Sequence, residues 1–571
     1  MNNERLPDAH VRGRDSWRSR LSGSVALLGG AWLVAWGVGL QYRSLGEPDE
    51  GRYAEVAREM VATGDWITPR LDGFNFFDKP PMHYWGSAAA YSVFGVHPWS
   101  ARLWCALTGL LAILMVGWAG ARLFGREAGG YAAAILGSSL LFALAAHINT
   151  IDMGVTAFLA CGMACFLVAQ FDPDAAHLRT RLNLLMWASL ALAVLSKGLI
   201  GVVFPGLILL VYMLWQRDWT VLLRVSLLPG IALLLAICAP WFILMSRLHP
   251  DFLYTFFITQ QFTRFLTPVF HRTQPFGFFI PVVVLGLFPW TLLLPWTRSA
   301  WRAFYTGLPA QRFLLSWIGV IFVFFSASHS KLPFYILPLF PALVLLLGAA
   351  AAALPPAAMR RRFHLIIVTA AIGAIVAVAS MFLLHTKAPE QALQHALIGL
   401  TLTMLLIAGA TLFGARALHH GRRRTAMHVL ALAAIVGWQG MLISSQSYVD
   451  MASAAPVARI IKPRLRPGTE VFTVRTYLGG LPFYLGRLVT VVDQHRDDLD
   501  PGLASRPTGY IADVATFEQR WRMSNDAIAV APANLLVQFR VQGLPFYELG
   551  RHDQNVIIGR RMPAHPASTA H

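Results

Sequence analysis

The sequence is poor in charge and in cysteine. Only 13% of its 571 residues are Asp, Glu, Lys or Arg, whereas 56% are hydrophobic. This composition is typical of a membrane protein and excludes a chain of several soluble domains. All four cysteines lie within apolar segments, which indicates small packing residues rather than a disulfide framework or a metal cluster: Cys105, Cys161, Cys165 and Cys238.

Lysine is also scarce, because only five of the 47 basic residues are lysine. Most arginines fall in short patches between apolar segments, as topology signals do. No run of basic residues is interleaved with aromatic residues on a polar surface. Nucleic acid is therefore excluded as a partner, although the net charge is +18.

What the sequence does contain is a series of apolar runs, each about 20 residues long, from Val25 to about Ser445. They predict an all-α polytopic membrane domain over residues 1–445 with about thirteen transmembrane helices. We place the spans at roughly 24–41, 97–120, 128–147, 151–170, 183–198, 199–215, 221–246, 276–297, 312–327, 333–354, 363–384, 393–414 and 426–445.

The distribution of arginine predicts the orientation of these spans. The N-terminal segment and the alternate connections that would share its side hold 21 arginines and no lysine. By the positive-inside rule this side is cytoplasmic, so the N-terminus is predicted inside. Thirteen spans then place residues 446–571 on the outer side.

The last 126 residues differ in character from the rest, since short β-like runs alternate with Pro and Gly. We expect a small α/β domain over residues 446–571. Its predicted strands are Glu470–Arg475, Leu488–Asp493 and Asn555–Gly559, and its predicted helix is Ala515–Met523.

The first loop, residues 42–96, is predicted on the outer side and is too polar for a plain connection. A helical pattern runs from Glu50 to about Ala62, which predicts an amphipathic helix at the membrane surface that ends at Gly64. The loop holds eight acids: Glu47, Asp49, Glu50, Glu55, Glu59, Asp65, Asp72 and Asp78. Such a loop is suited to a lipid-linked substrate with a polar head.

Several motifs resemble the aminoarabinose transferases, which belong to the protein O-mannosyltransferase-like membrane glycosyltransferases of GT-C architecture. The resemblance covers nearly the whole chain and is more specific for the superfamily than for the sugar. Its motifs are Asp49-Glu50-x-Arg52-Tyr53-Ala54-Glu55, Gly64-Asp65-Trp66-Ile67, Phe77-Asp78-Lys79-Pro80-Pro81-x-x-Tyr84-Trp85, Asp152, Ser196-Lys197-Gly198, Arg264-Phe265, His271-Arg272 and Lys331-Leu332-Pro333-x-Tyr335-x-Leu337-Pro338.

The resemblance implies transfer of 4-amino-4-deoxy-L-arabinose from undecaprenyl phosphate to lipid A phosphates, on the periplasmic face of the bacterial inner membrane. The family's catalytic carboxylate maps onto Asp49. The residues implied in binding the lipid phosphate and the sugar are Lys79, Arg264, Tyr335, Lys197, Asp152, Arg52, Tyr53 and Lys331.

The metal of this family stays an open question here. Similar sequences have Glu where this chain has Asp78, and some have a His where this chain has Gln260 and Gln261. No cofactor is therefore assigned, and a divalent metal near Asp78 is kept as an alternative.

Chemistry supports the residue types that the resemblance selects. Breaking a sugar–phosphate bond places positive charge on the anomeric carbon and negative charge on the leaving phosphate, so a carboxylate and nearby cations stabilise both. If the acceptor is a phosphate it is already ionised, and Asp49 then acts either as a base or as a positioning group.

Simpler roles stand beside these. Asp49 and Asp152 are candidate helix caps, Lys197 and Lys331 candidate headgroup anchors, and Tyr335 a candidate interfacial aromatic. The alternative functions are transfer of another polyprenyl-linked sugar, a hexose or galacturonic acid, to a glycolipid or protein, and a flippase or transporter of lipid-linked sugars.

Overall fold

The computed structural model describes residues 29–263, 273–294, 305, 307–384, 389–494 and 499–561. Within these ranges nine helices are long and apolar enough to cross a membrane, and a bent pair raises the number to ten. The prediction of a mostly helical membrane protein is confirmed. The nine helices are Pro98–Phe124, Ile151–Phe171, Pro173–Lys197, Leu227–Leu248, Pro309–Ala327, Pro333–Ala353, Pro356–Leu383, Glu390–His419 and Arg423–Ser444.

Three predicted spans correspond to shorter apolar helices, Gly29–Val38, Ile200–Gln216 and Phe276–Gly286. Each has between 10 and 17 residues, fewer than the roughly 20 that a straight helix needs to cross the hydrocarbon core. Apolar length alone therefore does not determine how many of the predicted spans cross the membrane completely. The five arginines of the N-terminal segment lie outside the described residues.

The span predicted at 128–147 is broken. Helices Arg126–Ser138 and Leu140–Ala146 meet at an angle of 65°. The break at Ser139 leaves backbone groups without their helical partners, and the N–H of Leu140 donates to the carbonyl of Phe288, 3.2 Å away. The bend is therefore stabilised by a neighbouring segment, as unpaired backbone groups in lipid require.

Helix Ile151–Phe171 forms the centre of the membrane domain, because all residues of its most apolar stretch are buried inside the protein. A helix that is apolar on every side is expected in such a position.

The helices around this central helix approach one another closely where their residues are small. A Cβ at Gly129 would lie 2.3 Å from the carbonyl oxygen of Gly117 in the adjacent helix, so only glycine fits there.

The described part of the C-terminal domain, residues 446–494 and 499–561, contains a six-stranded mixed sheet and five short α-helices of at least five residues. Three predicted strands and the predicted helix are confirmed within two residues, at Glu470–Val474, Thr490–Val492, Asn555–Gly559 and Val514–Met523. The remaining strands are Tyr510–Ile511, Ala527–Pro532 and Tyr547–His552, and the other α-helices are Gln446–Met451, Ala455–Ile461, Leu481–Leu485 and Leu535–Val541.

The strand missed at the centre of this sheet, Ala527–Pro532, pairs in parallel with Glu470–Val474 and antiparallel with Asn555–Gly559. Five of its six residues are buried, so it lacks the alternation of polar and apolar residues that indicates a half-exposed strand.

The C-terminal domain rests on the first loop. The carboxylate of Glu47 accepts hydrogen bonds from the backbone N–H groups of Gly479 and Gly480, at 3.1 and 2.6 Å. At a second point Asp72 accepts from the N–H of Val489 at 2.8 Å. Two parts of the chain more than 400 residues apart therefore lie on the same side of the membrane domain.

Candidate active site

The helix predicted in the first loop is present as Asp49–Thr63, which we call the loop helix. Pro48 occupies its N-cap position and Asp49 is its first residue, so a capping role for Asp49 is wrong. The carboxylate of Asp49 instead pairs with Arg52 one turn later. Gly64 ends the helix with a φ of 73°, as predicted.

The loop helix is not an exposed surface helix, which corrects the prediction. From Glu50 to Met60 its polar side chains are buried together with its apolar ones, because the rest of the first loop covers the polar face and the C-terminal domain packs against the helix. Charges also pair within the helix, since Arg58 donates to Glu55 at 2.6 Å. Glu59 accepts from the N–H of Gly73 at 3.0 Å.

Asp49 differs from the other acids of the loop helix in its exposure. Its side chain is 41% exposed, against 5% for Glu50 and 0% for Glu55. Arg52, which holds its carboxylate, lies over the ring of Tyr53 at 5.0 Å. The described structure thus brings three predicted site residues together, and Asp49 is the accessible acid among them.

Asp78 and Lys79 form a buried ion pair at 2.8 Å, and the Lys79 ammonium also donates to the backbone carbonyl of Asp78. Among the described residues no group of three or more His, Cys, Asp or Glu side chains has a metal-binding arrangement. Asp78 is thus paired with a lysine, and in the described part of the chain it belongs to no group of side chains arranged to bind a metal ion.

Asp152, Lys197 and Tyr335 come together, although they lie on three separate elements. Lys197 is ion-paired with Asp152, and its ammonium lies 4.3 Å from the centre of the Tyr335 ring. Thr150 is the N-cap of the helix that carries Asp152, so the capping role for Asp152 is wrong. The Lys197 ammonium is paired with the Asp152 carboxylate, which does not favour headgroup anchoring as its role.

Lys331 is buried away from these groups. Its ammonium donates to the backbone carbonyls of Gln274 and Ser328, at 3.0 and 2.5 Å, and thereby joins two loops. These buried contacts do not favour headgroup anchoring as its role. Arg264 lies outside the described residues.

A hydrogen-bonded frame connects the loop helix to the helix that carries Asp152. The N–H of Asn149 donates to the carboxylate of Glu50 at 2.9 Å, and the Asn149 side chain donates to the Glu50 backbone. The side chain of Asn149 also contacts His83 at 2.9 Å, and the His83 ring packs against Tyr53 at 5.6 Å. Burial lowers the pKa of His83 to about 4, so it is neutral at pH 7.

Tyr84 marks the point at which the first-loop residues converge. Burial raises the pKa of its hydroxyl well above the ordinary value, and the nearby Tyr53, Asp78 and Asp49 raise it further while Arg52 lowers it. The Tyr84 ring lies 6.0 Å from the ring of Tyr53, so residues from two motifs of the first loop lie side by side here.

Sequence reasoning missed Arg102, the residue that anchors the loop helix. Its fully buried guanidinium donates to the Glu50 carboxylate at 2.7 Å and to the backbone carbonyls of Arg43 and Ser44. Burial alone would raise the pKa of Glu50, but Arg102 and Arg43 lower it to about 2. The available signal was an arginine one turn inside a predicted apolar span, where a charge is costly unless paired.

This fold has a close match among solved structures. The crystal structure of ArnT from Cupriavidus metallidurans bound to undecaprenyl phosphate superposes with a TM-score of 0.89 and 32% sequence identity, covering 95% of this chain and 99% of that one. The chain belongs to the aminoarabinose transferase family. The crystal structure of the Cupriavidus metallidurans protein in the apo state matches this chain equally well, with a TM-score of 0.88.

Family models agree with this membership. Residues 457–560 match the aminoarabinose transferase C-terminal domain, and residues 42–254 match dolichyl-phosphate-mannose-protein mannosyltransferase. The first match coincides with the sheet domain, and the second includes the first loop, Asp152 and Lys197.

Curated relatives carry the same family name. An undecaprenyl phosphate-alpha-4-amino-4-deoxy-L-arabinose arabinosyl transferase of Pseudomonas savastanoi is 32% identical over 56% of this chain. One of Edwardsiella ictaluri is 29% identical over 73% of this chain and 77% of its own length. The alignment with the first of these spans 60% of that relative's length.

Proposed function

We propose that this protein transfers 4-amino-4-deoxy-L-arabinose from undecaprenyl phosphate to phosphate groups of lipid A. The observation that carries the proposal is the superposition, over 95% of the chain, on an ArnT structure bound to undecaprenyl phosphate. The donor is thus a polyprenyl-phosphate-linked sugar, and the reaction is a pentosyl transfer.

In this proposal Asp49 is the catalytic carboxylate. It is the accessible acid of the loop helix, and Arg52 fixes its direction. A phosphate acceptor is already ionised near neutral pH, so it needs no base to remove a proton. We therefore assign Asp49 to orienting the reactants and stabilising the positive charge that develops on the anomeric carbon.

We assign binding of the leaving phosphate to three cations and one hydroxyl: Lys79, Lys197, Arg264 and Tyr335. Lysine is a compact point charge suited to phosphate, and arginine adds a two-pronged donor. Asp152 positions the Lys197 ammonium through their ion pair, and Tyr53 positions Arg52 through their ring contact.

We further propose the inner membrane as the location, with the N-terminus in the cytoplasm and the C-terminal domain in the periplasm. The arginine distribution supports this orientation. The catalytic domain is residues 1–445 with thirteen spans, and the periplasmic domain is residues 446–571. The contacts of Glu47 with Gly479 and Gly480 support placing the first loop and the C-terminal domain in one compartment.

The test is mass spectrometry of lipid A from cells with and without the protein. A mass increase of one aminopentose on a phosphate is the expected result. A hexose or uronic acid increase would replace the proposed sugar by one of the alternatives, and an unchanged lipid A would contradict the acceptor.

An assay with purified protein in detergent separates transfer from transport. Detergent micelles have no second leaflet, so a flippase has nothing to do there, whereas a transferase still moves the sugar from undecaprenyl phosphate to added lipid A. Transfer by the wild type, and transfer by Asp49→Asn lowered by a factor of at least about 10², is the expected result. Absence of transfer by the wild type, with lipid A still modified in cells, would favour the flippase alternative.

A further inference from the structure

A polar cavity that none of the candidate site residues lines lies between the start of the first loop and the C-terminal domain. Its volume is about 380 Å³, within the range of small-ligand sites. Tyr42 and Arg43 line it from the first loop, Pro98 from the helix that follows, and Arg459 and Lys462 from the C-terminal domain.

The wall of this cavity is positively charged. The described residues that line it include three cations, Arg43, Arg459 and Lys462, and no Asp or Glu. The nearest carboxylate described next to Arg459 is that of Asp450, 3.7 Å away. The Oδ2 atom of that carboxylate faces Arg459 and offsets part of its charge, while the Oδ1 atom accepts from Ser44 and Gln446 at 2.6 and 2.7 Å.

The charge of Arg43 is only partly compensated. Arg43 and Arg102 both pair with the single carboxylate of Glu50, which leaves this buried group with one excess positive charge. The Nε of Arg43 has no hydrogen-bond partner among the described residues. An excess positive charge at the base of a basic cavity favours an anionic occupant.

The cavity adjoins the membrane surface. Pro98, which lines it, begins the spanning helix Pro98–Phe124. Just before Pro98 three apolar side chains point outward, Val93, Phe94 and Val96, with 73%, 50% and 39% of their surface exposed. Exposed apolar side chains at the end of a spanning helix contact lipid rather than water.

We propose that this cavity binds the phosphate of an anionic phospholipid, whose acyl chains lie along the outer end of helix Pro98–Phe124. Arg43 of the first loop approaches the phosphate from one side, and Arg459 and Lys462 of the C-terminal domain approach it from the other. A bound lipid therefore attaches the C-terminal domain to the bilayer. The inference is independent of the sugar transfer proposed above.

The test is native mass spectrometry of the full chain in detergent, titrated with phosphatidylglycerol and, separately, with zwitterionic phosphatidylcholine. We expect phosphatidylglycerol to bind more tightly. The variant Arg459→Gln/Lys462→Gln should weaken this binding about 25-fold, or about 5-fold for each cation removed near a membrane surface.

The matched control is Arg540→Gln/Arg561→Gln, which removes the same charge from exposed positions of the C-terminal domain that do not line the cavity. This control should bind phosphatidylglycerol like the wild type. Equal weakening in both variants, or equal binding of phosphatidylcholine, would overturn the proposal. So would binding of inorganic phosphate as tight as that of phosphatidylglycerol, because the occupant would then be a free anion rather than a lipid.

Discussion

At the scale of single residues, the acids of the loop helix differ in how much of their side chain is exposed. Glu50 and Glu55 are buried and bound by arginines, whereas Asp49 keeps 41% of its side chain exposed. The sequence places all of them within seven residues of one helix. Which acid stays accessible depends on Arg102 and Arg43, which approach Glu50 from outside the helix.

Replacing Asp49 by Asn removes the charge and keeps the size of the side chain. We expect sugar transfer to fall by a factor of about 10² to 10⁴, because a carboxylate that stabilises developing charge contributes on this scale. The measurement is transfer from undecaprenyl phosphate to lipid A by purified protein. Glu127→Gln is the control, since Glu127 forms an exposed pair with Arg424 far along the chain from the site. Equal rates for Asp49→Asn and Glu127→Gln would exclude the assigned role.

The pair of Asp152 and Lys197 is mostly buried, with 10% and 12% of the side chains exposed. Lys197→Ala leaves the carboxylate without its partner, so we expect a loss of about 3 kcal/mol in the free energy of unfolding. The double variant Asp152→Asn/Lys197→Ala should recover part of this stability but none of the transfer activity. Thermal unfolding and the transfer assay measure the two effects.

The exposed pair of Arg424 and Glu127 provides the comparison for this experiment. Arg424→Ala should cost less than about 1 kcal/mol, as exposed ion pairs do. If Lys197→Ala is no more destabilising than Arg424→Ala, or if the double variant is as active as the wild type, the positioning role of the pair is wrong.

At the scale of elements, the loop helix was predicted to within two residues at each end, and its C-terminal glycine was predicted too. Its environment was predicted wrongly. The alternation of polar and apolar residues indicates a helix with two different faces, but it does not reveal whether protein or water covers the polar face. Here the rest of the first loop covers it, so its charges are paired inside the protein.

This burial makes the loop helix sensitive to pH. Burial raises the pKa of Glu59 above its ordinary 4.5, against the opposing effects of the Gly73 N–H and Arg58. The folded protein then binds this proton more tightly than the unfolded chain does. The contribution of Glu59 to stability is therefore full below pH 4.5 and is lost as the pH rises through its raised value.

Glu59→Gln should accordingly gain stability relative to the wild type between pH 5 and pH 8, measured as the difference in Tm at each pH. Glu548→Gln is the control, because the hydrogen bond from Arg551 lowers the pKa of Glu548. Its titration is therefore complete below pH 4.5, and its Tm difference should be constant between pH 5 and pH 8. A Tm difference for Glu59→Gln that is constant between the two pH values would show that Glu59 does not titrate in this way.

At the scale of the whole molecule, the C-terminal domain and the catalytic region meet backbone to backbone. A Cβ at Gly51 of the loop helix would lie 2.8 Å from the Cα of Gly480 and 2.6 Å from the Glu47 carboxylate. Glycine is therefore required at this contact. Because Gly51 lies two residues after Asp49, we expect a displacement at this contact to change the direction of the Asp49 side chain as well.

Gly51→Ala tests this connection. Alanine is favoured over glycine inside a helix by about 1 kcal/mol, but the clash should reverse the sign and destabilise the protein by about 1 to 3 kcal/mol. We also expect lower transfer activity and faster proteolytic release of the C-terminal domain. Gly130→Ala is the matched control, because its added Cβ meets nothing within 4 Å. Similar Tm values for the two variants would contradict the close contact.

The sequence by itself determined the membrane character, the approximate positions of the spanning helices, the loop helix and three strands of the C-terminal domain. These features follow from apolar length and local periodicity, which any short stretch of chain carries. Asp49, Arg52 and Tyr53 could be recognised together because they lie on one helical turn and share a motif.

Only the tertiary structure decided which distant residues meet. The pairing of Lys197 with Asp152, the anchoring of Glu50 by Arg102 and the bonds of Glu47 to Gly479 and Gly480 join residues between 45 and 433 positions apart. Such contacts arise because a buried charge is stable only beside an opposite charge or a hydrogen-bond donor. Local periodicity carries no record of which distant residue supplies that partner.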